Sequence, residues 1–126
     1  MIARYRLSGP ASADIARILR KSEAQHGLDA RVRYRGLLAA AMRRIAADPA
    51  GSSTSDRSDV LVGIRSLHIR HSRQESREPP VHDPVHVIFH RAVEPGLVEI
   101  LRVLHDRMEP SRHVGVVTKG SETSGN

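Results

Sequence analysis

Cysteine is absent from the 126 residues. That excludes a disulfide framework and any thiolate-built zinc or iron–sulfur site, and it fits a reducing compartment. Tryptophan is absent as well, and the aromatic content of 2 % comes from Tyr5, Tyr34 and Phe89 alone. A base-stacking platform of the kind used by single-strand binders is therefore not available. No run of about 18 apolar residues occurs that could cross a membrane. The opening Met1-Ile2-Ala3-Arg4-Tyr5-Arg6 lacks the apolar stretch that follows the charged start of a secretory signal. These absences lead to the expectation of a cytoplasmic protein with no membrane partner. Nothing in the chain suggests a cofactor, and none is expected.

Arginine, by contrast, is abundant. Twenty Lys and Arg stand against fourteen Asp and Glu for a net charge of +6, and Lys21 and Lys119 are the only lysines. The planar guanidinium fork pairs with carboxylate or phosphate, so the excess suits an acidic protein segment or nucleic acid as partner. A chain of 13.9 kDa is near the usual size of one domain. Its role is expected to be the gripping of a macromolecular partner.

Hydropathic periodicity gives the element order. Ala3-Arg-Tyr-Arg-Leu7 alternates strictly and predicts a short half-buried strand. Ser8 or Gly9 can cap a helix in which Pro10 occupies the first turn, Ala11, Ile15, Ile18 and Leu19 form the apolar stripe, and His26-Gly27 closes the end. Asp29 is the candidate cap of a second helix, with Tyr34, Leu37, Leu38, Ala41, Met42 and Ile45 on one face and a stop at Asp48-Pro49. The two helices must form a hairpin. Residues 50–59 are polar and read as a mobile surface loop. Strands follow over 64–70, 85–92 and 97–105, the last apolar on both faces and so interior to its sheet. Pro95-Gly96 suits the centre of a type II turn between the last two strands. The expected fold is α+β, β-α-α-β-β-β: an N-terminal strand, a two-helix hairpin and a three-stranded antiparallel sheet. The domain would span 1–113 with loops at 50–62 and 72–84, and the Gly- and Ser-rich 114–126 would be a disordered tail.

Four stretches carry a resemblance: Tyr5-Arg6-Leu7-Ser8 running into Ala13-Asp14-Ile15; Ile45-Ala46-Ala47-Asp48-Pro49; Gly63-Ile64-Arg65-Ser66; and Val87-Ile88-Phe89-His90-Arg91 continuing to Ile100 through Met108. Together they resemble the ParE branch of the RelE/ParE superfamily of bacterial toxin–antitoxin toxins, also described as plasmid stabilisation proteins. The strand ending Arg-Val-Leu-His-x-Arg-Met, with Arg112-His113 after it, is the most specific part. The resemblance implies a helical hairpin packed on an antiparallel sheet. It also implies an acidic, ParD-like antitoxin in a hetero-oligomeric complex, and DNA gyrase as target. The RelE-like alternative is a ribosome-dependent endonuclease acting on messenger RNA, and a second alternative is a non-toxic binding module of the same fold. The C-terminal tyrosine of many RelE-like nucleases is missing here, which favours the ParE reading.

Two residue sets follow. A nuclease needs an acid, a base and cations on the phosphate, which His105 or His113 with Arg65, Arg91 and Arg102 could supply. Strand geometry places residues 102 and 105 on opposite faces unless a bulge intervenes, so these two need not share a site; the plain reading of His105 is a strand end bonded locally. A partner-binding surface would draw on Arg65, Arg70, Arg73, Arg77, Arg102, Arg107, Met108 and His113. The basic stretch from Arg57 to Arg77 contains only Asp59 and Glu75 as acids, and it reads equally as a solvated face. His82, His86 and His90 have helical spacing but lie on a loop and strand, where His86 and His90 would be roughly 13 Å apart, so no metal site is expected.

Overall fold

A computed structural model describes residues 3–114. Strand β1 (Arg4–Leu7) leads into the hairpin of α1 (Gly9–His26) and α2 (Leu28–Ala47). Strands β2 (Ser55–Asp56), β3 (Arg65–His68), β4 (His86–Glu94) and β5 (Leu97–His105) follow, with short 3-10 turns at Ile69–Ser72 and Pro110–Arg112. The α+β order is as expected, but the sheet has five strands in the order β1-β5-β4-β3-β2. β1 is not separate from it: it pairs in parallel with β5, Arg4 opposite Leu97 through Leu7 opposite Ile100. β5 therefore lies inside the sheet, which accounts for its apolar residues on both faces. No helix among the described residues is long and apolar enough to cross a membrane.

Local chemistry explains the boundaries. Ser8 caps α1 by accepting from the Ala11 N–H at 3.0 Å, and its hydroxyl donates to the Leu101 carbonyl at 2.8 Å. The second helix starts one residue before Asp29, on Gly27 (φ 95°), which makes no side-chain cap bond; Asp29 sits in the first turn, where its charge still opposes the helix dipole. β3 ends at His68 and not at Arg70, because His68 Nδ1 accepts the Arg70 N–H and bends the chain into a 3-10 turn. The expected loop over 50–59 contains β2, whose Ser55 and Asp56 pair with Ser66 and Arg65. Pro95-Gly96 connects β4 to β5, with Gly96 at φ 81° as a type II turn requires. Loop 72–84 lies across α2 at Gly36, where an added Cβ would come within 2.8 Å of Glu78 Cγ and 2.9 Å of Ser76 Oγ.

Two apolar clusters result. The larger lies between the helices and the sheet and includes Ala11, Leu19, Leu37, Leu38, Ala41, Ile45, Leu67, Ile88, Val98, Ile100 and Val103. The smaller comprises Ile64, Phe89, Leu101, Leu104 and Val114, covered by Val60, Leu61 and Val87. Val114, assigned to the tail, is thus fully buried; the rest of the expected tail, 115–126, lies outside the described residues.

Candidate functional site

Three of the arginines expected to act together are instead engaged separately. Arg102 forms a two-pronged pair with Asp14, Nε to Oδ2 at 2.7 Å and Nη2 to Oδ1 at 2.8 Å. The Asp14 side chain is 2 % exposed, and it also accepts from the Val103 N–H at 3.0 Å and from Arg17. β1 pairs with β5 only as far as Ile100, so Ser8 and Asp14 satisfy the edge of β5 that β1 leaves uncovered. Arg65 binds Thr54, with Nη2 to Oγ1 at 2.8 Å, and so ties the segment before β2 to β3. Arg91 holds Glu99 Oε1 at 2.8 Å from the neighbouring strand, and Arg6 approaches the other oxygen at 3.3 Å. His113 follows the 3-10 turn Pro110–Arg112, beside the smaller cluster, and His105 is at the end of β5. The five candidate catalytic groups therefore occupy distinct positions, each of the three arginines in its own internal contact.

A second group forms at the end of the sheet where β3 and β5 stop. His68 Nδ1 accepts from Arg70 N, and His105 Nδ1 accepts from Arg107 N, each at 3.1 Å. His68 Nε2 donates to Asp106 Oδ2 at 3.1 Å, joining the two strand ends. That bond holds the Asp106 carboxyl below its ordinary range, with the nearby imidazoles adding to the effect. Arg70 and Arg107 thus flank one His68–Asp106–His105 unit, both exposed, next to Met108 at 49 % exposure. Arg77 is exposed on the following loop, while Arg73 is half-buried with its Nε on the Val81 carbonyl. The partner-binding set therefore divides: Arg70, Arg77, Arg107 and Met108 face solvent, and Arg65 and Arg102 support the fold.

Behind this end lies a groove of about 600 Å³ between the second half of α1, the first half of α2 and segment 80–86. Tyr34 organises its floor. Its hydroxyl accepts from the Val85 N–H at 3.2 Å and is hydrogen-bonded to His86 Nδ1 at 2.6 Å. The rings of Tyr34 and His86 meet edge to face at 5.5 Å, and those of His86 and His105 at 5.7 Å. Burial, reinforced by the facing His105, depresses the His86 imidazole to about 4, and burial pushes the Tyr34 phenol up to about 12. Both are neutral at physiological pH. His90 is fully buried with neither ring nitrogen bonded, and burial together with Arg65 depresses it to about 4.

Sequence reasoning missed Asp14, Tyr34 and His86 as polar organisers. Asp14 had a detectable signal: it is a carboxylate at 14 between Ala11 and Ile18, on the buried side of an amphipathic helix. The partnership of Tyr34 with His86 spans 52 positions and has no local signature.

Residues 5–110 match the family model for the ParE toxin of type II toxin-antitoxin system, parDE. No curated protein matches the chain.

Proposed function

This chain belongs to the ParE toxin family of type II toxin–antitoxin systems, and from that premise we propose that it acts in the cytoplasm by binding DNA gyrase. A ParD-like antitoxin with an acidic segment neutralises it. The observation that carries the binding role is the division of the arginines. Arg65, Arg91 and Arg102, the cations a nuclease would need on a phosphate, are bound to Thr54, Glu99 and Asp14. Arg70, Arg77 and Arg107 are exposed at one end of the sheet and its adjoining loop. Exposed cations of one sign steer an acidic partner and speed its association.

The test is a supercoiling assay with purified chain and gyrase, alongside expression in a bacterial host with pulse labelling. Gyrase that still supercoils at high toxin excess refutes the proposal. The expected result is loss of supercoiling and an early stop in DNA synthesis, both relieved by Arg70→Gln with Arg107→Gln. The second reading, cleavage of messenger RNA on the ribosome, draws on one observation: His105 lies across from His86 in a groove that also contains Lys21. New cleavage products in a translation extract, abolished by His105→Ala, would establish it. A non-toxic binding module, suggested by the long 72–84 loop, is ruled out by growth arrest on expression.

A further inference from the structure

The groove behind the histidine end is built for an anion, and nothing in the gyrase reading uses it. Of the four histidines that line it, His26, His82, His86 and His105, the last two use their Nδ1 atoms in internal bonds. His86 Nδ1 is hydrogen-bonded to the Tyr34 hydroxyl, and His105 Nδ1 receives the Arg107 N–H, so in the neutral His105 ring the hydrogen is on Nε2. Asp106 Oδ1 is 3.3 Å from the same His105 nitrogen and takes a hydrogen from it only when the ring is protonated; Nε2 carries its hydrogen in both states. The Nε2 atoms of both rings, with a hydrogen on that of His105, are therefore left over after these bonds are made.

Lys21 of α1 lines the same groove, close enough for its ammonium to oppose protonation of His86. Lys21 and Arg33, also on the wall, make no hydrogen bond or ion pair among the described residues. Of the acids nearby, Asp83 lines the groove and Asp106 is already held by His68. Cationic and neutral donors from three separate elements, α1, β4 and β5, thus bound one space. Three donors match the three terminal oxygens of a phosphate monoester, whereas a carboxylate offers two. The volume exceeds what a lone phosphate fills and falls within the range of small-molecule sites, and Val81, Pro80 and Ile18 supply apolar wall.

We propose that this groove binds a nucleotide-sized phosphate monoester, its phosphate on Lys21, His86 Nε2 and His105 Nε2 and its organic part against Val81 and the edge of Tyr34. The site is independent of the gyrase contact, so failure of either leaves the other standing.

The experiment is a titration of the full chain with AMP and with inorganic phosphate, followed through the imidazole nitrogens of His86 and His105 by nuclear magnetic resonance. Saturable shifts are expected, with AMP binding more tightly than phosphate. Lys21→Gln should weaken AMP roughly tenfold, the value of one charge-assisted bond, with the melting temperature unchanged. Arg43→Gln, on exposed surface outside the groove, should bind like the parent. A lack of saturable shift at AMP concentrations on the order of 10 mM overturns the proposal. So does equal AMP affinity in Lys21→Gln. Phosphate as tight as AMP overturns the nucleotide-sized ligand, and saturation of the same signals by a glutamate-rich peptide but not by AMP assigns the groove to an acidic protein segment instead.

Discussion

The β1–β5 edge and the histidine end of the sheet are both rich in cations, and they treat them in opposite ways. At the edge, Asp14 takes Arg102 and Arg17 while Ser8 and Asp14 complete the backbone of β5, so the Asp14–Arg102 pair is withdrawn from solvent. At the histidine end, one carboxylate, Asp106, is bonded to His68 and lies beside His105, and Arg70 and Arg107 next to it form no ion pair among the described residues. A net charge of +6 therefore does not describe a uniformly basic surface. Arg102 at the edge is bound into the fold, and Arg70 and Arg107 at the other end are exposed.

The largest effect that would break this comparison is at the edge. Arg102→Met leaves a carboxylate buried with only Arg17 beside it, and should destabilise the domain by about 3 kcal/mol in chemical denaturation. A variant as stable as the parent would show that the pair is not structural. Next in size, for one histidine read at pH 5, is an acid-dependent loss of stability. His90 and His86 titrate near 4 in the fold and near the ordinary histidine value, 6.5, when unfolded. Between those pH values the unfolded chain binds more protons, so stability is fully present above 6.5 and falls as pH drops towards 4. Each histidine contributes about 1.4 kcal/mol per pH unit across that window. His90→Leu should flatten the slope by one histidine's share and be more stable than the parent at pH 5, measured by urea denaturation at stepped pH. An unchanged slope would mean that His90 finds a proton-bound partner.

Smaller again is Tyr34→Phe, which strands the Val85 N–H and His86 Nδ1 and should cost about 1–2 kcal/mol. The smallest stability effects belong to Arg70→Gln and Arg107→Gln, each within about 0.5 kcal/mol, because these side chains are exposed. Their expected consequence is weaker gyrase inhibition at unchanged melting temperature, which sharpens the contrast between the two regions.

Periodicity was enough to read the hairpin and β5, because their apolar residues repeat at 3.6 and 2 positions over long stretches. Residues such as Leu37, Leu38, Ala41 and Ile45 are buried as their spacing requires. The expected local bonding of His105 is also observed, through the Arg107 N–H. What periodicity could not show is non-local. β2 has two residues and no pattern of its own; it exists because Arg65 holds Thr54 beside β3. The parallel docking of β1 on β5 depends on residues 93 positions apart, and no window of sequence reports it. For the candidate site the residue types were legible and their partners were not. Arg102 looks identical to Arg107 in the sequence, and only the position of Asp14 on α1 separates a structural arginine from an exposed one.

Because Arg4 meets Leu97 and Ser8 meets Leu101, β1 finds its place only against a strand 93 positions further along the chain. The hairpin of α1 and α2 has local contacts and can form early, whereas closure of the sheet is a high-contact-order step that waits for β5. The histidine end, which needs both β3 and the end of β5, is complete only once both strands are in place.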